Sequence, residues 1–269
     1  MIFQTMNKVH KMARSKSLQV AACAIVSPLL LGFATAAYAA DDAASAEFCS
    51  AFVQIESALS SSVPLVFLPP DVAKDVARHQ LSVIEPLFAT AKGLAPEHIR
   101  DDVALYADAT ITSLKTLDYS ATQTAEYAAA DDAIDTRLLS DCGMQSMPVT
   151  ASNYEYTNIQ DVMQTGETAL SLTNVADQVH EITIARINDD VDMSAREILM
   201  LGEEDALAAV KLFAYTATQP GTTETTFVNL VPGRYYVVCF TATGTTSFHA
   251  QGKGPPHFLH GMLKEFVVK

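Results

Sequence analysis

Pro232-Gly233-Arg234-Tyr235-Tyr236-Val237-Val238-Cys239 and, further on, His257-Phe258-Leu259-His260-Gly261-Met262 are the stretches on which the fold of the C-terminal half turns. The first is a Pro-Gly turn followed by β-branched and aromatic residues, the composition of a strand. Side chains alternate along a strand, so Tyr235, Val237 and Cys239 share one face. Two of those three are ordinary core side chains, which sends the thiol inward with them. The second stretch leads into another short apolar run, Leu263 to Val268, read as the last strand.

The same signature recurs upstream at Tyr154 to Ile159, Ala169 to Thr173, Val179 to Ile187 and Thr225 to Leu230, and the strand after Gly233 runs on to Thr241. Short strands at this spacing, separated by turn residues, predict an all-β sandwich or barrel. Residues 192–212 break the rhythm. Ser194 can cap a helix with Glu197 in its first turn, and Gly202-Glu203-Glu204-Asp205 opens a second acidic first turn, so a helical insertion is expected there. Residues 144–153, with Ser146, Pro148 and Ser152, are expected to be a linker.

Leu172-Thr173-Asn174-Val175-Ala176-Asp177-Gln178-Val179-His180-Glu181 reads as a strand, a polar turn, and a His opening the next strand. With the two stretches above, it makes residues 154–269 resemble the cupredoxins of the plastocyanin/azurin type. Those proteins end in the same order: a PG turn, a Tyr-bearing strand closing on Cys, then His, four residues, and Met. The resemblance implies a Greek-key sandwich holding one copper ion, with His180 and His257 as imidazole ligands, Cys239 as thiolate and Met262 as axial ligand. A thiolate and two imidazoles in a plane with a weak thioether at the axis suit both Cu(I) and Cu(II), which a one-electron carrier needs. It further implies electron transfer or copper carriage with a redox partner protein, and no catalysis of its own. One departure stands out: Phe240 to Pro256 separate the Cys from the second His, far more than the family usually allows. Either this Thr- and Gly-rich loop is a surface excursion that leaves Cys239 and His257 close, or copper was lost and the fold kept as a copper-free binding module. Pro255-Pro256 would stiffen the approach to His257. Glu181, next to His180, is expected on the opposite, solvated face. His249 and His260 are expected to be solvated.

Residues 44–143 have helical periodicity instead. Phe48, Phe52, Ile55 and Leu59 form a first stripe, and Val72, Val76, Leu81, Ile84 and Leu87 a second, with a break or kink at Pro86. A third comprises Ile99, Val103, Tyr106, Ile111 and Leu114, and a fourth Tyr127, Ile134 and Leu138. The fold class is therefore α+β by domain, a helical bundle followed by the sandwich. Four up-and-down helices bring the two ends of a bundle together, so Cys49 in the first helix and Cys142 after the last can meet in a disulfide. Two unrelated free thiols are the other reading.

Residues 1–39 carry the marks of a signal peptide: Lys8, Lys11, Arg14 and Lys16, an apolar run from Val20 to Phe33, and Ala37-Tyr38-Ala39-Ala40 as cleavage site. Pro28 interrupts that run, which is shorter than the ~20 residues of a spanning helix; a retained anchor is the alternative. Export to the periplasm or outside the cell puts the cysteines where disulfides persist. The formal net charge is −14, and losing the four leader bases makes it more negative. Such a surface repels nucleic acid and anionic lipid. Asp131-Asp132, Asp189-Asp190 and Glu203-Glu204 are expected on solvated faces. No G-x-S-x-G, P-loop, H-E-x-x-H or G-x-G-x-x-G pattern occurs. A copper-dependent oxidoreductase would ask for further His clusters, and the helical half has only His79 and His98.

Overall fold

Helices fill the N-terminal half and two β-sheets the C-terminal half of the computed structural model, which describes residues 44–61, 65 and 68–269. The basic leader and its cleavage site lie outside the described residues. Helix α1 (Ala46–Ser60) starts at Ser45, whose hydroxyl accepts the Phe48 amide at 3.1 Å. Its expected stripe is widened, with Phe48, Ala51, Phe52, Val53 and Ile55 all buried. The cause is its position: α1 lies between α2 (Pro70–Leu94) and the sheet strand β7 (Thr223–Leu230), and a helix covered on two sides needs apolar residues around most of its girth.

Helix α2 differs from expectation in two ways. It buries Ala73, Ala77, Gln80, Ile84, Phe88 and Ala91, while Val72 is exposed. Alanines let the helices approach closely, so the face is set by small residues as much as by large ones. It also runs through Pro86 unbroken. Pro86 and Ser82 lie on the exposed face, where water can take the carbonyl that proline leaves free. Helices α3 (Arg100–Thr116) and α4 (Ala125–Asp141) complete the set, packing in chain order. Cys49 and Cys142 form a disulfide across a sequence separation of 93, leaving Cys239 as the free cysteine among the described residues. A loop that long corresponds to on the order of 4–5 kcal/mol in the chain-entropy picture. Asp131 is not on a solvated face as expected. It is half-buried beside Glu56 and Asp135, where burial pushes its carboxyl up to about 7.

The sandwich begins earlier than the sequence suggests. Residues 144–153, expected as a linker, contain strand β1 (Gln145–Ser152), which points Met147, Val149 and Ala151 into the core. It runs parallel to β4 (Gly166–Asn174), and β2 (Glu155–Thr157) pairs with it only from Thr150 onward. Pro148 therefore falls where the outer edge of β1 has no partner, the place in a sheet where a missing N–H costs least. Strand β6 (Val210–Thr218) takes the end of the expected insertion, which shrinks to α5 (Ala195–Leu199) and α6 (Glu203–Ala208). The two sheets have the order β2-β1-β4-β7 and β3-β9-β8-β5-β6, where β3 is Val162–Met163, β5 His180–Ile187, β8 Gly233–Val238 and β9 Leu263–Val268.

Both sheets are covered on both faces. Ala169 and Phe227 on the outer side of the first sheet join the helical core. On the outer side of the second, Tyr236 and Val238 pack with Ala195 and Ile198 of α5. Between the sheets lie Leu170, Leu172, Ile182, Ile184, Tyr235, Val237 and Cys239. No helix among the described residues is long and apolar enough to cross a membrane.

Candidate metal centre

Strand β8 carries Tyr235, Val237 and then Cys239 into the inter-sheet core, as their alternation requires. The ladder continues one step past the strand: Cys239 donates its amide to the Met262 carbonyl at 3.1 Å, just before β9. The long loop then folds on itself as a small hairpin. Thr243 N–H bonds to Pro255 O at 2.9 Å, Gly254 N–H to Thr243 O at 3.1 Å, and His257 N–H to Thr241 O at 2.9 Å. Each pair returns the chain by one step, so the arms close on Cys239 whatever the length of the tip. Gly252 makes this possible, because a Cβ there would lie 2.0 Å from Thr243 O. The loop is a surface excursion, and His257 comes back to the thiol.

His180, the first residue of β5, reaches the same point from the neighbouring strand. His180, Cys239 and His257 are all fully buried, and their ligand atoms lie within 4.8 Å of one another. His257 Nδ1 is 3.1 Å from His180 Nδ1 and 3.5 Å from Cys239 Sγ. Donors about one ion at bonds of ~2.0–2.3 Å sit on the order of 3.5 Å apart, so this spacing fits a single metal. Met262 is fully buried in the same core cluster as Cys239. Among the described residues, these three make the one group of three or more His, Cys, Asp or Glu close enough to hold an ion.

The surroundings favour a neutral Cys239 and a neutral His180. Burial pushes the Cys239 thiol up to about 12, with the nearby Glu181 carboxyl adding to it. Burial likewise holds His180 down to about 4. A soft cation supplies the positive charge that would let such a thiol ionise. His180 Nε2 is buried with no hydrogen-bond partner.

Glu181 corrects an expectation. It is 1% exposed, not solvated. The β5–β8 pairing ends at Thr183↔Val238, and the Glu181 carboxylate takes over by accepting the Phe240 amide at 2.9 Å and the Thr241 hydroxyl at 3.3 Å. Burial pushes this carboxyl up to about 7 in spite of those bonds. Tyr156 donates its hydroxyl to the Glu181 carbonyl. His260 is exposed and packs its ring on Tyr154 at 4.8 Å, and His249 lies exposed in the loop.

Gln178 is a contact that the sequence reading passed over. Its side chain meets the His257 ring, the loop at Gly244 and the Tyr154 hydroxyl. Its place in the polar turn two residues before His180 was the available signal.

No family model matches the chain, and no curated protein does. Solved structures resemble its C-terminal half. Auracyanin from Roseiflexus castenholzii is 24% identical over 46% of this chain and 97% of its own, with a TM-score of 0.31. Auracyanin A from Chloroflexus aurantiacus, described as a blue copper protein, is 16% identical over 47% of this chain and 100% of its own, at 0.29. A laccase from Pediococcus acidilactici is 11% identical over 48% of this chain and 28% of its own, at 0.28. The C-terminal half consists of two packed sheets with His, Cys and His brought together at one end.

Proposed function

We propose that this chain binds one copper ion through His180, Cys239 and His257, with Met262 on the axis, and carries single electrons to and from a partner protein outside the cytoplasm. The observation that carries this reading is the convergence of two Nδ1 atoms and one Sγ in a fully buried pocket. Copper in such a set supplies a one-electron couple whose two oxidation states share one coordination. The burial of all three ligands, the backbone bond between Cys239 and Met262, and the hairpin that returns His257 support a site built ahead of the metal. One such group among the described residues supports a mononuclear centre.

The test is a visible spectrum of purified protein with added Cu(II). A short thiolate–copper bond gives intense blue or green colour. Cys239→Ala should abolish it while leaving the far-UV circular dichroism unchanged. A colourless complex in the wild type would leave the copper-free binding module as the better account. Export belongs to the same proposal, and the disulfide supports it. N-terminal sequencing of protein from its native host should begin at or near Ala40 or Asp41; finding residues 1–39 retained would refute it.

A further inference from the structure

We propose that Gln178 is the positioning residue of this site: its side-chain carbonyl holds His257 as the Nε2–H tautomer, turning the Nδ1 lone pair toward Cys239 and His180, and the same oxygen ties down the long loop at Gly244. The inference rests on the reading of His257 as a ligand, but its geometry stands in the metal-free protein.

The amide orientation follows from its neighbours. Gly244 N–H can only donate, so the Gln178 atom facing it is Oε1. That oxygen also lies 3.3 Å from His257 Nε2. An acceptor at that place puts a proton on Nε2, and in the neutral ring that leaves Nδ1 unprotonated. The Gln178 amide nitrogen donates to the Tyr154 hydroxyl at 3.1 Å, and the Tyr154 ring stands edge-on to His257 with centroids 5.1 Å apart. The Gln178 backbone carbonyl in turn accepts from buried Asn174 at 2.8 Å. Three parts of the chain therefore hold Gln178: the turn at Tyr154 and the excursion after Cys239 through its side-chain amide, and the end of β4 through its backbone carbonyl. No partner at its far nitrogen selects a tautomer for His180. One side chain does two jobs that the long loop makes necessary, orienting the second imidazole and keeping the excursion closed over it.

The experiment uses full-length, uniformly 15N-labelled metal-free protein. Long-range proton–nitrogen correlations of the imidazole rings report which nitrogen bears the proton, and amide exchange reports Gly244. The wild type should show His257 as a single Nε2–H species. Gln178→Leu should give mixed tautomers and speed Gly244 exchange by about tenfold, the effect of one lost hydrogen bond. Its Cu(II) affinity should fall about 10–100-fold, the usual loss when a group orienting a metal ligand is removed. Gln178→Glu keeps an acceptor at both contacts and should retain the single tautomer, which a merely space-filling role would not predict. A wild type with His257 protonated on Nδ1 overturns the inference without any variant. So does a folded Gln178→Leu with tautomer and exchange unchanged, or a folded Gln178→Glu that loses the tautomer. If the wild-type tautomer is as stated and Cu(II) gives no colour, the positioning role stands and the copper reading fails.

Discussion

Met262 and Cys239 meet through their backbones as well as through the core, since the Met262 carbonyl takes the Cys239 amide. The loop turn and the last strand are thus tied to the Cys239 backbone without any metal. As the proposed axial ligand, Met262 would contribute only a weak bond, so its loss would leave the thiolate transition intact and withdraw donation from Cu(II) more than from Cu(I). Met262→Leu should keep the colour and raise the reduction potential by on the order of 60 mV, a tenfold change in a one-electron equilibrium. Spectroelectrochemistry measures both, and loss of colour in a folded variant would remove the axial assignment. Glu181 shows why a single residue can be misread. Alternation placed it away from the face of its neighbours correctly, but β5 is buried on both faces, so the opposite face is not water.

The excursion between β8 and β9 behaves as an element of its own, a hairpin whose arms pair from Cys239 and Met262 outward. Its tolerance for length comes from pairing: each added rung returns the chain to the same base, whereas the entropy of closure grows only slowly with loop length. The tight point is Gly252, where the arms approach within reach of a single Cβ. Gly252→Ala forces that atom against backbone, with an expected cost on the order of 1–3 kcal/mol. Thermal melts should show the loss, and Cu(II) competition should show weaker binding because His257 hangs on the moved arm. A Gly252→Ala protein with unchanged melting and copper affinity would mean that the arms are free to part.

Across the whole molecule, the helices and the first sheet share one core, and α1 is the element common to both. Carboxylates gather at that junction: Glu56 of α1 accepts the Tyr106 hydroxyl at 2.6 Å, and Asp131, Asp135 and Glu224 of β7 complete the group. Burial, and then the neighbouring carboxylates, push Asp131 up to about 7 and Asp135 up to about 9. Because the folded values lie above the ordinary value of 3.8, the neutral acids stabilise the fold fully below about pH 4. That stability is lost as pH rises through 7 and then 9. The melting temperature should therefore fall between pH 5 and pH 9, and Asp135→Asn should flatten the upper part of that decline. A wild-type melting temperature that rises over the same range would contradict the burial of these acids.

Read alone, the sequence determined the division into a helical and a β half and the inward turn of Cys239, while only the resemblance to cupredoxins named His180 and His257 as residues that would meet it. Periodicity and turn chemistry are local properties, and they survive in the order of residues. It also brought Cys49 and Cys142 to candidate positions, while their bond depended on how the helices stack. Strand β1 was hidden because Pro148 looks like a linker residue until its unpaired edge is known. Strand β6 was hidden because it follows two short helices without a break. The return of His257 across the long loop was open in the sequence, since spacing says nothing of pairing between arms. Only the tertiary structure decided it, through hydrogen bonds between residues that are distant in the chain. The same holds for Glu181 and Gln178, whose roles depend on what covers them, and covering is a property of the assembled layers.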